Sequence, residues 1–351
     1  MTVLAVRDVK AAPTGARARQ RRRITLLAVP GIAVLFVLVT LALTTGQMPL
    51  SASVALRGLV GLGDPGDVLV VQEFRAPRMT AAVIAGVGLG IAGSLLQRVF
   101  RNPLASPDVM GVTGGASFGA VVLLATGASQ TLIPVAALGG GMLAALLLGV
   151  FGWRSGLTVT RLVLVGLAVQ AGLAAAVNLM VVRFPAELAS SALQWTTGSL
   201  YGRNWTEVWA AGGTMALALM AAFGLQRRLA VLDLGDESAG GLGLNTSASR
   251  LQLLVTAIVL ASLAAALTGP VAFVALAVPH LVRFVAGPPT PGTLALTGLT
   301  GAILLLASDL IVQHLLPVSG LPVGVVTATL GAPWLLVLMI RQSRPVNRSA
   351  A

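Results

Sequence analysis

Apolar runs of about twenty residues recur along this chain, broken by short stretches that hold its prolines and charges. A run of that length is what a helix needs to cross the hydrocarbon core of a bilayer, roughly 20 residues. The runs at 24–45, 79–99, 109–128, 132–151, 162–182, 208–225, 251–267, 272–286, 294–316 and 323–340 predict ten crossings. The eighth is the shortest and carries Pro279 inside it, with Pro270 just ahead. The second is bounded by Arg78 and Arg98, with nineteen uncharged residues between them. Gly86, Gly88, Gly90 and Gly93 along it offer a face small enough for another helix to pack closely, as membrane bundles require. Beyond it, Pro103 and Pro107 stop one helix and restart another.

The longest non-spanning stretches are 46–78 and 226–250, so no soluble domain of useful size is left over. The pattern predicts a single all-α polytopic membrane bundle of about ten transmembrane helices over 24–341, with tails at 1–23 and 342–351. The first tail is basic, rich in Ala and Arg and without apolar periodicity, which reads as a disordered segment within reach of anionic headgroups. The run at 24–45 has 22 residues. A secretory signal has an apolar core of roughly 7 to 15, so this run is expected to remain as the first helix.

Composition agrees with a membrane bundle: 56% hydrophobic and 10% charged residues, no cysteine, and a mean hydropathy of +0.92. Without cysteine there is no disulfide framework, thiolate metal site or thiol nucleophile. With two histidines, no protein-built metal centre is expected. A net charge of +12 is a nucleic-acid signal only where it clusters on one face. Here it is spread over loops: with the N-terminus inside, 18 of the 23 basic residues fall on the inner side, and only Arg57, Arg75, Arg78, Arg183 and Arg203 on the outer. That asymmetry orients a multi-pass protein of the cell membrane with both ends in the cytoplasm and no nucleic-acid partner.

A phosphate-gripping G-x-x-x-x-G-K-[ST] loop needs its lysine, and the only lysine, Lys10, lies in the tail without those glycines. This chain is therefore not an ATPase, and a pump built on it draws its energy from another polypeptide on the cytoplasmic side. The 226–250 insert is the natural docking place, since it alone among the inner loops mixes acidic and apolar residues with glycines. Asp236, Glu237 and Ser238 can start a short helix, on which Ala239 and Leu242 share one face at i, i+3 spacing. On the outer side Arg75 and Arg78 lie three apart around Pro77; arginines so placed either snorkel and anchor the helix end or meet an acidic partner. Asp309 is an acid near the membrane interior, a functional candidate by default, and its place near the outer end of the ninth run equally fits a structural hydrogen bond. His280 reads as a packing residue or a proton relay.

Several stretches resemble one known family. Arg75-Ala76-Pro77-Arg78 is similar to its R-x-P-R, Gly93 with Gln97 to its G-x-x-x-Q, Arg101-Asn102-Pro103-Leu104-Ala105-Ser106-Pro107 to its R-N-P-L-A-x-P, and Gly111-Val112 to its L-G-V. Further matches are Trp195-Thr196-Thr197-Gly198-Ser199-Leu200, Leu234-Gly235-Asp236-Glu237-Ser238-Ala239 with Leu242-Gly243, and Gly269-Pro270-Val271-Ala272-Phe273-Val274 with Pro279-His280. The last is Leu321-Pro322-Val323-Gly324 with Gly331-Ala332-Pro333. In this order, over about 25–341, the chain resembles FecCD-type permease subunits of ABC importers for iron-siderophores, haem and cobalamin.

The resemblance implies a binding-protein-dependent importer permease that works by alternating access, with no covalent chemistry and no cofactor on this chain. ATP and Mg are expected on partner ABC subunits in the cytoplasm, beside a second permease subunit and an extracytoplasmic substrate-binding protein. Arg75 and Arg78 would receive the binding protein, together with position 313, where the family carries arginine and this chain has Gln313. Asn102 and Leu104 would gate the path with Val159 and Thr160, Val159 standing where the family favours a small polar residue. Gly235, Asp236, Glu237, Ala239, Leu242 and Gly243 would couple to the ATPase. Ferric siderophores are the expected cargo, with haem or cobalamin as alternatives. An ion-coupled secondary carrier is a further alternative, although such carriers bind the coupling ion with buried ionisable groups, which are scarce here.

Overall fold

The computed structural model describes residues 14–153, 159–315 and 321–343. Among them every regular element is helical. The first helix, α1 (Thr14–Thr44), begins ten residues before the apolar run, because the Ala- and Arg-rich segment ahead of it is a good helix former. Part of the expected disordered tail is thus helical, and the rest lies outside the described residues. α1 runs along the edge, with Leu26, Val29, Ile32 and Phe36 exposed where lipid would surround them.

The stretch 46–78 was expected as an outer connection and is instead largely helical. Ser51 caps α2 (Ala52–Leu59), its side chain accepting from the Val54 amide at 3.4 Å. Asp64 caps α3 (Pro65–Leu69), accepting from Gly66 at 2.8 Å, with Pro65 at the first helical position, where a missing N–H costs nothing. A π-helical segment (Val70–Arg75) then leads without a break into α4 (Ala76–Val99). The helical course is continuous for 35 residues, from Pro65 to Val99.

The rest of the chain adds α5 (Val112–Ala125), α6 (Ile133–Trp153), α7 (Val159–Arg183), α8 (Ala186–Thr197), α9 (Trp205–Gly224), α10 (Gln226–Leu232), α11 (Asp236–Gly241), α12 (Thr246–Thr268), α13 (Val274–Ala286), α14 (Pro291–His314) and α15 (Val323–Ser343). Among the described residues seven helices are long and apolar enough to cross a membrane, and three shorter apolar ones, in α5, α13 and α15, stand where the third, eighth and tenth crossings were expected. α13 is short because Phe273, with φ 68°, starts it from a left-handed residue and Gly287 ends it, while Pro279 interrupts its ladder. The connecting helices α2 and α8 were not foreseen.

α4 is the hub, packed by α14, α12, α13, α9 and α1. Its glycines do not form one face, as expected, but serve several neighbours. A Cβ on Gly86 would lie 2.4 Å from the Gly301 carbonyl of α14, and one on Gly93 only 1.8 Å from the Ala275 carbonyl of α13. Gly88 instead meets Met215 of α9. Backbones this close exclude any side chain, and such contact substitutes for the hydrophobic drive that lipid removes between membrane helices.

Candidate functional site

The two ends of α4 carry most of the polar chemistry. At the outer end, Arg78 forms a forked ion pair with Asp309 of α14: Nε donates to Oδ2 at 2.9 Å and Nη2 to Oδ1 at 2.8 Å. The Asp309 side chain is 2% exposed and that of Arg78 21%. One turn on, the Gln313 amide donates to the same Oδ2 at 2.7 Å. Two of the three expected docking residues therefore converge on one buried carboxylate. Arg75 stands apart: Nη1 donates to the Leu43 carbonyl at 2.6 Å and Nη2 to the Met48 carbonyl. It caps the last turn of α1, where orphan carbonyls and the helix dipole favour a cation. Nearby, Arg203 and Glu207 pair at 3.0 Å with both side chains 8% exposed, and the guanidinium lies over the Trp195 ring at 4.2 Å. That contact accounts for the tryptophan of the 195–200 motif.

At the inner end, α4 is tied to the insert. Arg98 donates to Asp233 at 2.6 Å and to Gln226 at 3.1 Å, its side chain only 7% exposed. Arg101, with φ 48°, adopts a backbone conformation that is costly for a residue with a Cβ. Its Nη2 donates to the Leu232 carbonyl at 2.7 Å and lies 3.5 Å from Asp236, which also accepts from Arg250 at 2.5 Å. Gln97 links the same end to α13, donating to the Leu276 carbonyl at 3.0 Å and accepting from Arg283 at 2.8 Å.

The expected coupling residues divide. Gly235 (φ 106°) and Gly243 (φ 80°) flank α11, Asp236 and Glu237 open it, and Ala239 is fully buried in the main core of this chain. Leu242 is 67% exposed. Ala239 and Leu242 were expected to share one face of this helix; Leu242 closes α11, its N–H donating to the Ser238 carbonyl at 3.1 Å, and its side chain stands exposed while Ala239 is covered by the core. Of the expected gate residues, Asn102 closes a turn by accepting from the Leu104 amide at 3.0 Å, and Leu104 is 41% exposed. Val159 and Thr160 begin α7, and their side chains lie outside the described residues.

Asp233, the partner of Arg98, was not singled out from sequence, nor was Asp108 in the turn between α4 and α5. Thr113 donates to the Asp108 carboxyl at 2.8 Å, and burial outweighs that bond, raising the carboxyl to about 6. Among the described residues no group of three or more His, Cys, Asp and Glu side chains could hold a metal ion.

Known proteins share this sequence and architecture. The chain is 39% identical over 303 residues to the ferric enterobactin transport system permease protein FepG of Escherichia coli, a match covering 86% of this chain and 92% of that protein. It is 36% identical to the Fe(3+)-citrate import system permease protein YfmE of Bacillus subtilis, over 93% of this chain and 98% of that one. Among solved structures, a metal-chelate type ABC transporter in an inward-facing conformation superposes with a TM-score of 0.78 at 27% identity, covering 90% of this chain and 99% of that chain. The family model for the FecCD transport family matches residues 34–341, and the chain is a multi-pass membrane protein that belongs to this family.

Proposed function

We propose that the chain is the permease subunit of a binding-protein-dependent ABC importer for ferric chelates of the siderophore and citrate class. The observation that carries the reading is the near full-length similarity to permeases named for ferric enterobactin and Fe(3+)-citrate. Two permease subunits form the path by alternating access, and separate ABC subunits hydrolyse ATP with Mg. The insert takes the thrust of the ATPase through Gly235, Asp236, Glu237, Ala239, Leu242 and Gly243. Arg98 and Arg101 pass it to the turn that holds Asn102 and Leu104, because both arginines bind the insert and lead directly into that turn. Asn102, Leu104, Val159 and Thr160 gate the inner mouth, and Arg75, Arg78 and Gln313 receive the soluble binding protein outside.

The test is uptake into proteoliposomes that hold the complete importer, with labelled ferric enterobactin and ferric citrate offered on the binding-protein side. ATP-dependent accumulation of a ferric chelate is expected. Accumulation of haem or cobalamin with no ferric chelate would overturn the cargo, and uptake driven by an ion gradient without ATP would overturn the class.

A further inference from the structure

The outer arginine is not a free cation. The Asp309 carboxylate accepts from Arg78 Nε and Nη2 and from Gln313 Nε2, so its oxygens are shared among three donors from two helices. Arg78 Nη1 has no acceptor among the described residues, and the side chain remains 21% exposed. Pulling Arg78 off a buried acid would leave that acid uncompensated, an equilibrium cost on the order of several hundredfold. An exposed ion pair formed in its place returns about fivefold at most. The internal pair therefore outlasts any docking event, and a partner meets Arg78 with its charge already cancelled.

We infer that Asp309 is the positioning residue of the outer docking site. It fixes the Arg78 fork so that one N–H edge, at Nη1, faces outward, and it holds Gln313 beside it in register. The partner chemistry that fits is a hydrogen-bond acceptor placed by shape, a carboxylate or a carbonyl, drawn in with little long-range steering from Arg78. The inference rests on the docking role proposed for Arg78 and adds the residue that makes that role possible.

The experiment measures affinity of the binding protein for the reconstituted importer across ionic strength, for the native chain, Arg78→Gln, Asp309→Asn and Asp309→Glu. Arg78→Gln should weaken docking roughly tenfold, the worth of a charged hydrogen bond, and, because it leaves the Asp309 carboxylate uncancelled, flatten the salt dependence, the opposite sense to Asp309→Asn. Asp309→Asn should weaken docking and steepen the salt dependence, because the Arg78 charge is then uncancelled. Asp309→Glu keeps the charge but displaces the fork, so affinity should fall while the salt dependence stays native. It also keeps the buried ion pair, and so serves if the Asn variant does not assemble. Native affinity and salt dependence in an assembled Asp309→Asn importer, or native affinity in Asp309→Glu, would overturn the positioning role while leaving Arg78→Gln free to report on docking. No effect of Arg78→Gln would remove the docking reading and this inference together.

Discussion

Asp108 accepts a hydrogen bond from Thr113 and forms no salt bridge with any described residue. An ordinary aspartate titrates near 3.8, and burial moves this one to about 6. Between those values the folded chain holds a proton that the unfolded chain has released. The fold therefore gains stability as pH falls from about 6 toward 4, and carries the full penalty of the charged carboxyl above 6. Asp108→Asn keeps an oxygen for the Thr113 hydroxyl and removes the charge. It should raise the thermal midpoint of the purified permease at pH 8, by about 1 to 3 kcal/mol of stability, and flatten its dependence between pH 4 and 7. An unchanged midpoint at pH 8 would mean that the charged carboxyl is well solvated. Sequence alone did not single Asp108 out, since an acid after Ser-Pro reads as an exposed turn residue. Asp309 was legible as a lone acid in an apolar run. Its partner was not, because Arg78 lies 231 residues away.

At the scale of elements, the insert separates a structural position from a contact position. Ala239 lies in the core of this chain, so Ala239→Arg would bury a charge inside the permease and should abolish assembly whatever the ATPase does. Leu242 is exposed, and Leu242→Asp should leave permease stability within about 0.5 kcal/mol. If the insert is the coupling surface, Leu242→Asp should lose most of the copurifying ATPase and of transport. Retention of both would place the contact elsewhere. The helix start at Asp236 was readable because acids favour an N-terminus and Gly235 supplies the preceding turn. What the neighbours cover was not readable: Ala239 packs into the core, while Leu242 at the C-cap of the same short helix stays exposed. The caps of α2 and α3 show the same limit: Ser51 and Asp64 are ordinary capping residues, recognisable as such only once the helices they open are known.

For the whole molecule, hydropathy and length placed each expected crossing on an apolar helix, seven of them long enough to span among the described residues, because a bilayer requires backbone groups to be satisfied within each helix whatever its neighbours. Neighbour identity was not legible: the α4 glycines announce close contact but not its direction, and four different helices use them. The orientation follows from the basic residues and can be checked directly, as the chain has no cysteine. A cysteine replacing exposed Ser53 should react with an impermeant maleimide in intact cells, and one replacing Ser349, outside the described residues, should not. The reverse pattern would invert the molecule.

Arg78 and Arg98 stand twenty residues apart on one unbroken helix, about 30 Å at 1.5 Å per residue. The helix between them has no proline or hinge, and glycine contacts clamp it to its neighbours. Its two ends cannot change independently, so events on opposite sides of the membrane share one free-energy cycle. In the importer proposed above, reciprocity would then fix a relation that needs no knowledge of the pathway: whatever factor a nucleotide state adds to binding-protein affinity outside, docking would add that same factor to the stability of that nucleotide state inside.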